Sequence, residues 1–243
     1  MVVFKITDTM SAGLTYTDGV TVYGVNGARE TLIADAANVT DTKDPTTGKT
    51  TVVMDFDYEK IKGYQSLKIT YTALLNEAAV IGAPGNPNAA DLTYSHDTSK
   101  LVDGKYETKT LPKDETVVYT YGLDITKYEL GDPSMTLAGA AFSLKTADGK
   151  PVYFKVKDAA NNIYTAIFAD AMPDDAAQTV STGTGGKLII EGLGAGSYTL
   201  TEEAAPTDYH IIDKNITVNI TPELNSAGEP TGTLTQDAGI TAG

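Results

Sequence analysis

The chain has 243 residues, enough for one or two domains, and its 18 basic and 32 acidic side chains give a net charge of −14. Nucleic-acid binding and binding to anionic membrane surfaces both need a basic surface, so this balance disfavours both. The sequence has no cysteine, which excludes thiol catalysis, cysteine-bound zinc and disulfides, and would leave an extracellular protein in need of another covalent cross-link.

Short runs with a period of two residues, separated by Gly, Pro and Asn, recur along the chain and favour an all-β fold. In the first run, Phe4, Ile6 and Asp8 share one face of a strand, and residues 11–13 turn the chain. Asp8 is therefore predicted on the apolar face, whereas Lys5 has the outward parity.

The segment that follows is more polar. Residues 38–48 are rich in turn-forming side chains and are predicted to form a loop, and residues 57–62 are predicted to form one short helical turn. Asp55, Asp57 and Glu59 form an alternating acidic row. A calcium loop would also need a central glycine among its oxygen ligands, so a solvated strand face is predicted for this row. No metal site and no cofactor is predicted for the chain.

The domain boundary is predicted at a change in composition. Residues 101–115 mix lysines with acidic residues and include Pro112, as linkers do. The predicted domains are therefore residues 1–113 and 114–243. In the second domain we predict strands near residues 117–127, 137–145, 151–157, 163–168, 187–191, 197–203 and 210–220.

Two of these strands carry a charged residue on the apolar face. Lys127 shares its face with Leu123 and Ile125, and Glu202 shares its face with Leu200. Burying either ion alone would cost several kcal/mol, so their parity predicts a buried pair. Such a pair is either a salt bridge, which is weak evidence for stability, or a chemical site. Desolvation favours a neutral, nucleophilic amine and a proton-donating acid, which is the basis of the second interpretation.

The segment around Glu202 reads Tyr198-x-Leu200-x-Glu202-x-x-Ala205-Pro206-x-x-Tyr209. This pattern resembles the E-box of CnaB-type, or SpaA prealbumin-like, domains of Gram-positive pilins and surface adhesins. Residues 137–142 and 192–193 also look like strands of that family. The resemblance implies a spontaneous isopeptide bond, in which a lysine of the first strand attacks an asparagine side chain on the last strand while a buried acid assists. Lys127 matches the lysine and Glu202 matches the acid.

The first half carries a second resemblance. Residues 5–16 read Lys-Ile-Thr-Asp-Thr-Met-Ser-Ala-Gly-Leu-Thr-Tyr, and this stretch, with residues 67–79 and 85–96, resembles the D2-type (CnaA-like) domain of major pilins. The resemblance implies that Asp8 is an assisting acid and that the reactive lysine lies on a strand upstream, before Met1. The asparagine of that family would fall at His96-Asp97, where this chain departs from Asn-Asn. Asn88, on the same strand face, is a weaker candidate for the acceptor.

The acceptor for Lys127 is the other missing element. The CnaB-type family places it on the final strand, well after the E-box, whereas Asn215 and Asn219 follow the E-box closely and Asn225 lies in a turn-rich stretch. Residues 231–243 contain no asparagine. We therefore expect a fragment, truncated at both ends, of two tandem Ig-like β-sandwich domains. In it, Lys127 is expected to be a free amine beside Glu202, with the acceptor beyond Gly243, and the first domain is expected to leave a sheet edge or groove uncovered.

The resemblance implies a structural subunit of a Gram-positive surface pilus or adhesin stalk, extracellular, anchored to the cell wall and stiffened by Lys-Asn isopeptide bonds. Its implied partners are other pilin subunits, joined by a sortase. The alternative is an adhesin module that binds host extracellular matrix or glycans. An enzyme is disfavoured, because Glu202 and Glu203 point to opposite faces of a strand and cannot flank one glycosidic bond. No Ser-His-Asp set, phosphate loop, HExxH motif or membrane-spanning apolar stretch is evident in the sequence.

Overall fold

The computed structural model describes residues 2–212 and 214–235. Within these ranges the chain forms two compact units. The first unit contains residues 2–79 and 86–118, and the second contains residues 80–85 and the described residues from 119 onwards. The structure thus ends the first unit at Val118 rather than at residue 113, because residues 114–118 form a strand that pairs within the first unit.

Apart from the long β9, the first unit is built from short strands, and Thr, Val and Tyr recur in them, residue types that suit a pleated, half-buried surface. Its elements are β1 (Phe4–Met10), β2 (Leu14–Tyr16), β3 (Thr21–Asn26), β4 (Arg29–Leu32), β5 (Ala37–Lys43), β6 (Thr50–Phe56), α1 (Tyr58–Ile61), β7 (Ser66–Thr70), β8 (Ala73–Leu75), β9 (Asn86–Val102), β10 (Lys105–Thr110) and β11 (Asp114–Val118).

These strands form a two-layer sandwich. One antiparallel sheet has the order β10-β9-β1-β6-β5, with β11 also paired to β9, and a second sheet has the order β4-β3-β7. Met10, Val52 and Met54 of the first sheet pack with Val22 of the second in the core, where all four are buried. The layers therefore bury one face of each sheet, as the alternating pattern of β1 and β6 requires.

Two predictions for the first unit were wrong. The predicted loop at 38–48 begins with β5, and the predicted linker at 101–115 contains β10 and the start of β11. All three strands pair with a more buried neighbour while most of their own side chains face solvent, so their sequences look like those of loops. The predicted helical turn is confirmed as α1, where the Asp57 carboxylate caps the helix by accepting a hydrogen bond from the Glu59 backbone N–H at 3.1 Å.

The second unit is also a β structure. Its strands are β12 (Tyr121–Thr126), β13 (Tyr128–Glu129), β14 (Asp132–Thr136), β15 (Ala141–Thr146), β16 (Pro151–Asp158), β17 (Ile163–Ile167), β18 (Val180–Ser181), β19 (Lys187–Leu193), β20 (Gly196–Ala204), β21 (Ile216–Ile220), β22 (Pro222–Leu224) and β23 (Pro230–Leu234). The single strand predicted at 117–127 is instead two strands, β11 and β12, which belong to different units. The strand predicted at 210–220 begins only at Ile216.

The main strands of the second unit are hydrogen-bonded in the order β12-β19-β17-β16-β15-β20-β21, with β18 also paired to β15. All the named pairs are antiparallel except β17 with β19. The core that they enclose includes Phe142, Phe154, Leu188, Ile190 and Leu200, each at most 4% exposed. Within the described ranges, no helix has the length and apolar character needed to cross a membrane.

Candidate functional site

The strand that contains Glu202 and the strand that leads into Lys127 both alternate between a more buried and a more exposed face. In β20, Leu200 and Glu202 are buried while Glu203 is exposed. In β12, Leu123 and Ile125 are partly buried and their neighbours are exposed, and the same alternation turns the Lys127 side chain inward at the end of the strand. The parity predicted for both strands is therefore found in the structure, although β12 and β20 are not hydrogen-bonded to each other.

Lys127 and Glu202 form a buried ion pair. The Lys127 Nζ lies 3.1 Å from Glu202 Oε1 and donates a hydrogen bond to Oε2 at 3.2 Å. Only 12% of the lysine side chain and 1% of the glutamate side chain are exposed. The backbone N–H of Ile212 also donates to Oε2, at 2.8 Å. Glu202 Oε2 therefore accepts from two donors, whereas Oε1 is buried without a hydrogen bond and has only the ion-pair contact with the Lys127 ammonium.

The backbone of Lys127 is fixed by neighbours on both sides. Its N–H donates to the Gly186 carbonyl at 2.9 Å, and its carbonyl accepts from the Leu137 N–H at 2.8 Å. Gly186 has a φ of +66°, and a Cβ atom there would lie 2.3 Å from the Lys127 carbonyl oxygen. Only glycine allows this approach. We did not predict the role of Gly186 from the sequence, and the adjacent glycines at 185 and 186 are the only signal for it.

The described asparagines that were considered as acceptors lie away from the pair. Asn215 and Asn219 are exposed and have the opposite parity to the buried Val218 of β21. Asn215 Oδ1 accepts a hydrogen bond from the Thr201 hydroxyl at 2.9 Å, and Asn225 is hydrogen-bonded to Glu229 within the turn before β23. An amine and an acid are thus together, and none of these three carboxamides is beside them. The last residues considered for the acceptor, 236–243, contain no asparagine and lie outside the residues that the structure describes.

A second cluster of polar groups is buried in the first unit around Asp8. Asp8 is 3% exposed, as its parity predicted, and it accepts hydrogen bonds from the Tyr71 hydroxyl and from Asn88 Nδ2, the latter at 3.3 Å. Asn88 Nδ2 also donates to the Tyr71 hydroxyl oxygen at 3.0 Å. The other oxygens, Asp8 Oδ1 and Asn88 Oδ1, are buried without a hydrogen-bond partner. Among the described residues, the hydrogen bonds of this cluster involve Asp8, Tyr71 and Asn88 and no lysine.

Tyr71 is the member of this cluster that we did not predict. Burial, reinforced by its hydrogen bond to Asp8, raises the pKa of Tyr71 to about 12. Its parity with Leu67 and Ile69 of β7 could have placed it on the apolar face. His96, by contrast, is exposed. It therefore lies outside the buried cluster, whereas Asn88 lies within it.

The first unit also has an open groove of about 420 Å³, lined by apolar side chains of the strands that hold or precede Asp8 and Tyr71. One wall is formed by Phe4 and Ile6 of β1 and Leu92 of β9, and the other by Leu67 and Ile69 of β7. Phe4, Ile6 and Asp8 continue along one face of β1, so the groove and the cluster follow each other along that strand. The first unit therefore has an open groove beside β1, and the prediction that a missing strand leaves it uncovered stays a prediction. Among the described residues, no group of three or more His, Asp or Glu side chains could hold a metal ion.

Comparisons with known proteins match both units. Residues 1–98 match the family described as Gram-positive pilin backbone subunit 2, Cna-B-like domain, and residues 122–229 match the SpaA family, described as a prealbumin-like fold domain. The trypsin-resistant surface T6 protein of Streptococcus pyogenes serotype M6 is 26% identical over 166 residues, which are 65% of this chain. The chain matches only 26% of the length of that relative.

Solved structures share the fold at low identity. The 35 kDa C-terminal fragment of the major pilin GBS80 of Streptococcus agalactiae has a TM-score of 0.64 at 23% identity, over 89% of this chain and 78% of that one. The T6 backbone pilin of S. pyogenes serotype M6 has a TM-score of 0.59 at 20% identity, over 91% of this chain and 44% of that one. Domains D2 and D3 of the major pilin SpaD from Corynebacterium diphtheriae have a TM-score of 0.59 at 19% identity, over 96% of this chain and 83% of that one. The predicted all-β fold of two tandem Ig-like domains is confirmed, although the matched family describes the first as Cna-B-like rather than CnaA-like.

Proposed function

Residues 1–98 belong to the Gram-positive pilin backbone family and residues 122–229 to the SpaA prealbumin-like family, and on this premise we propose that the chain is a structural segment of a surface pilus. In this role it is extracellular and associated with the cell wall, and its partners are other pilin subunits joined by a sortase. It turns over no substrate. Binding to host matrix or glycans stays a prediction, because no feature of the described residues favours it specifically.

A more specific proposal rests on the buried contact between Lys127 Nζ and the Glu202 carboxylate. We propose that these groups are the amine and the assisting acid of an intramolecular isopeptide bond. Transfer of a proton from the ammonium to the carboxylate removes two buried charges and leaves a neutral amine beside a neutral acid. A neutral amine is the nucleophile that attack on a carboxamide requires.

The proposed reaction joins Lys127 to the side chain of an asparagine. The amine attacks Cγ of the asparagine, a new C–N bond forms, the Cγ–Nδ2 bond breaks and ammonia leaves. Glu202 carries the proton lost by the amine to the departing nitrogen. No asparagine follows Asn225 in the sequence, and Asn225 is engaged by Glu229. We therefore propose that the acceptor is supplied by sequence outside residues 1–243.

The same chemistry is proposed for the first unit, with Asp8 as the assisting acid. Asn88 is the candidate acceptor, because its amide contacts the Asp8 carboxylate directly. The lysine for this reaction is not supplied by the contacts of the described cluster. A cross-link in each unit would lower the conformational entropy of the unfolded chain and would carry a pulling force through covalent bonds.

Intact-mass spectrometry tests the chemistry. The chain of residues 1–243 should have its unmodified mass, and a longer natural protein should be lighter by one ammonia for each bond formed. In the longer protein, Glu202→Ala should abolish the loss attributed to the second unit. Glu203→Ala is the matched control, since Glu203 is exposed on the opposite face and accepts from the Ser143 hydroxyl at 2.5 Å. An unchanged loss of ammonia in Glu202→Ala would contradict the assignment of the acid.

The structural role is tested separately in the organism that carries the gene. Antibodies raised against this chain should label extracellular fibres along their whole length, because a backbone subunit repeats along a pilus. Deletion of a sortase gene should remove the labelled fibres and leave only monomers. Labelling confined to the cell interior, or fibres that persist without the labelled protein, would contradict the proposal whatever the mass measurements show.

A further inference from the structure

The turn between β3 and β4 contains the only Asn-Gly pair in the sequence, Asn26-Gly27. Asn26 pairs with Arg29 across the hairpin, which leaves Gly27 and Ala28 as a two-residue turn. Gly27 has a φ of +59°, so glycine suits the position. Asn26 and Gly27 are both exposed. Glycine has no side chain to shield its amide nitrogen, so this nitrogen can approach the side-chain carbonyl carbon of a preceding asparagine.

Both reacting groups of this pair are hydrogen-bonded to one residue, Gln65. The Gly27 backbone N–H donates to Gln65 Oε1 at 2.9 Å. The Gln65 backbone N–H in turn lies 3.0 Å from Asn26 Oδ1 and 3.1 Å from the Val25 carbonyl oxygen, and donates to both. Gln65 stands immediately before β7, whose Ser66 pairs with Val25 of β3. The sheet pairing therefore holds Gln65 in place beside the turn.

We propose that Asn26 is a latent deamidation site that Gln65 keeps closed. In the reaction, the Gly27 nitrogen loses its proton and bonds to Cγ of Asn26, the Cγ–Nδ2 bond breaks, and ammonia leaves a five-membered succinimide. Water then opens the ring to aspartate or to isoaspartate. The hydrogen bond to Gln65 Oε1 retains the proton that must leave, and the bond to Oδ1 fixes the Asn26 side chain in one orientation.

The consequence of opening the site follows from the hairpin register. Isoaspartate adds one methylene to the main chain, so residue 26 could no longer pair with Arg29 as it does in the native hairpin. Gln65 would lose both partners in the turn, and Gln65 also lines the open groove between β1 and β7. On the proposed function the protein is exposed outside the cell for long periods, and there the hydrogen bonds of Gln65 would preserve this side of the groove.

The test compares deamidation rates in the intact chain. Wild type and Gln65→Ala are aged in mildly alkaline buffer, and peptide mapping by mass spectrometry follows the conversion of residue 26. Gln65→Ala keeps the backbone N–H and removes only the acceptor of the Gly27 proton, and it should deamidate several-fold faster. Gln65→Glu retains a carboxyl oxygen at the same place and should remain near the wild-type rate. Ser66→Ala, at the exposed first residue of β7 and next to Gln65 in the chain, is the control for local mutation.

A second measurement needs no variant. Wild type unfolded in urea gives the rate of the unprotected Asn-Gly pair, and the folded protein should be many-fold slower. Equal rates for wild type and Gln65→Ala, or equal rates for folded and unfolded wild type, would each overturn the proposal. If Gln65→Ala proves to be unfolded, the second comparison decides alone.

Discussion

Removing either member of the Lys127–Glu202 pair should destabilise the second unit, and the structure predicts which removal costs more. Lys127→Met leaves the Glu202 carboxylate, whose side chain is only 1% exposed, without its cation. One hydrogen-bond donor then remains to it, the Ile212 N–H. Glu202→Leu leaves an amine whose side chain is 12% exposed, so that water can reach it. Breaking a buried pair from one side costs about 3–5 kcal/mol. We expect Lys127→Met near the upper end of this range and Glu202→Leu near the lower end.

The double variant Lys127→Met/Glu202→Leu separates the pair from its surroundings. Replacing both ions with apolar groups leaves no unpaired charge, so its stability should lie within about 1 kcal/mol of wild type. A control is available in Lys157→Met, because the Lys157–Glu191 pair has a similar contact, 2.6 Å, but side chains that are 39% and 22% exposed. Removing a surface ion pair should cost less than about 1 kcal/mol.

Hydrogen exchange of the β12, β19 and β20 amides is the suitable assay, because it reports the opening free energy of the second unit by itself. Whole-chain melting would mix the transitions of two units. The reasoning would be refuted if both single variants fell within the range of the Lys157→Met control. It would also be refuted if the double variant were as unstable as the sum of the two single variants.

Two further predictions concern the surroundings of each buried acid. Gly185→Ala and Gly186→Ala both place alanine at positive φ, which costs about 1–2 kcal/mol, but only the second brings a Cβ to 2.3 Å from the Lys127 carbonyl oxygen. Exchange of the β12 amides should therefore be faster in Gly186→Ala, and equal rates would contradict the importance of that contact. Tyr71 has its pKa raised from 10.0 to about 12, so its contribution to stability is complete below pH 10 and is lost as the pH rises through 12. Urea unfolding followed by a probe placed in the first unit should show this alkaline loss in wild type and a smaller loss in Tyr71→Phe.

The buried pair could be predicted because a strand repeats every two residues. Once Leu123 and Leu200 are assigned to the core, parity also assigns Lys127 and Glu202 to it. Parity, together with the cost of burying either ion alone, predicted that the two residues pair. The resemblance to the E-box added the roles of amine and acid. The sheet order could not be predicted in this way, since β12 and β20 are not neighbours in the sheet.

What the sequence did not reveal depends on contacts made at a distance. Tyr71 meets Asp8 across 63 residues, and it lies just beyond the last residue of β7. Gly186 matters only because another segment, at Lys127, approaches its Cα. The edge strand β5 escaped prediction for a different reason, because its exposed Thr and Asp side chains carry the composition of a loop.

The path of the chain between the two units affects how the protein can be dissected by recombinant expression. The chain passes from one unit to the other after Ala79, after Gly85 and after Val118. Residues 80–85 belong to the second unit, where Ile81 bridges to Thr120 and the Gly82 N–H donates to the Thr120 carbonyl at 2.7 Å. A fragment that begins at residue 114 or 119 lacks residues 80–85. A fragment that ends at residue 118 contains residues 80–85 but lacks Thr120, with which they pair. A recombinant second unit with all of its segments therefore needs residues 80–85 joined to it as an added segment. Dividing the chain at one position cannot give both units complete.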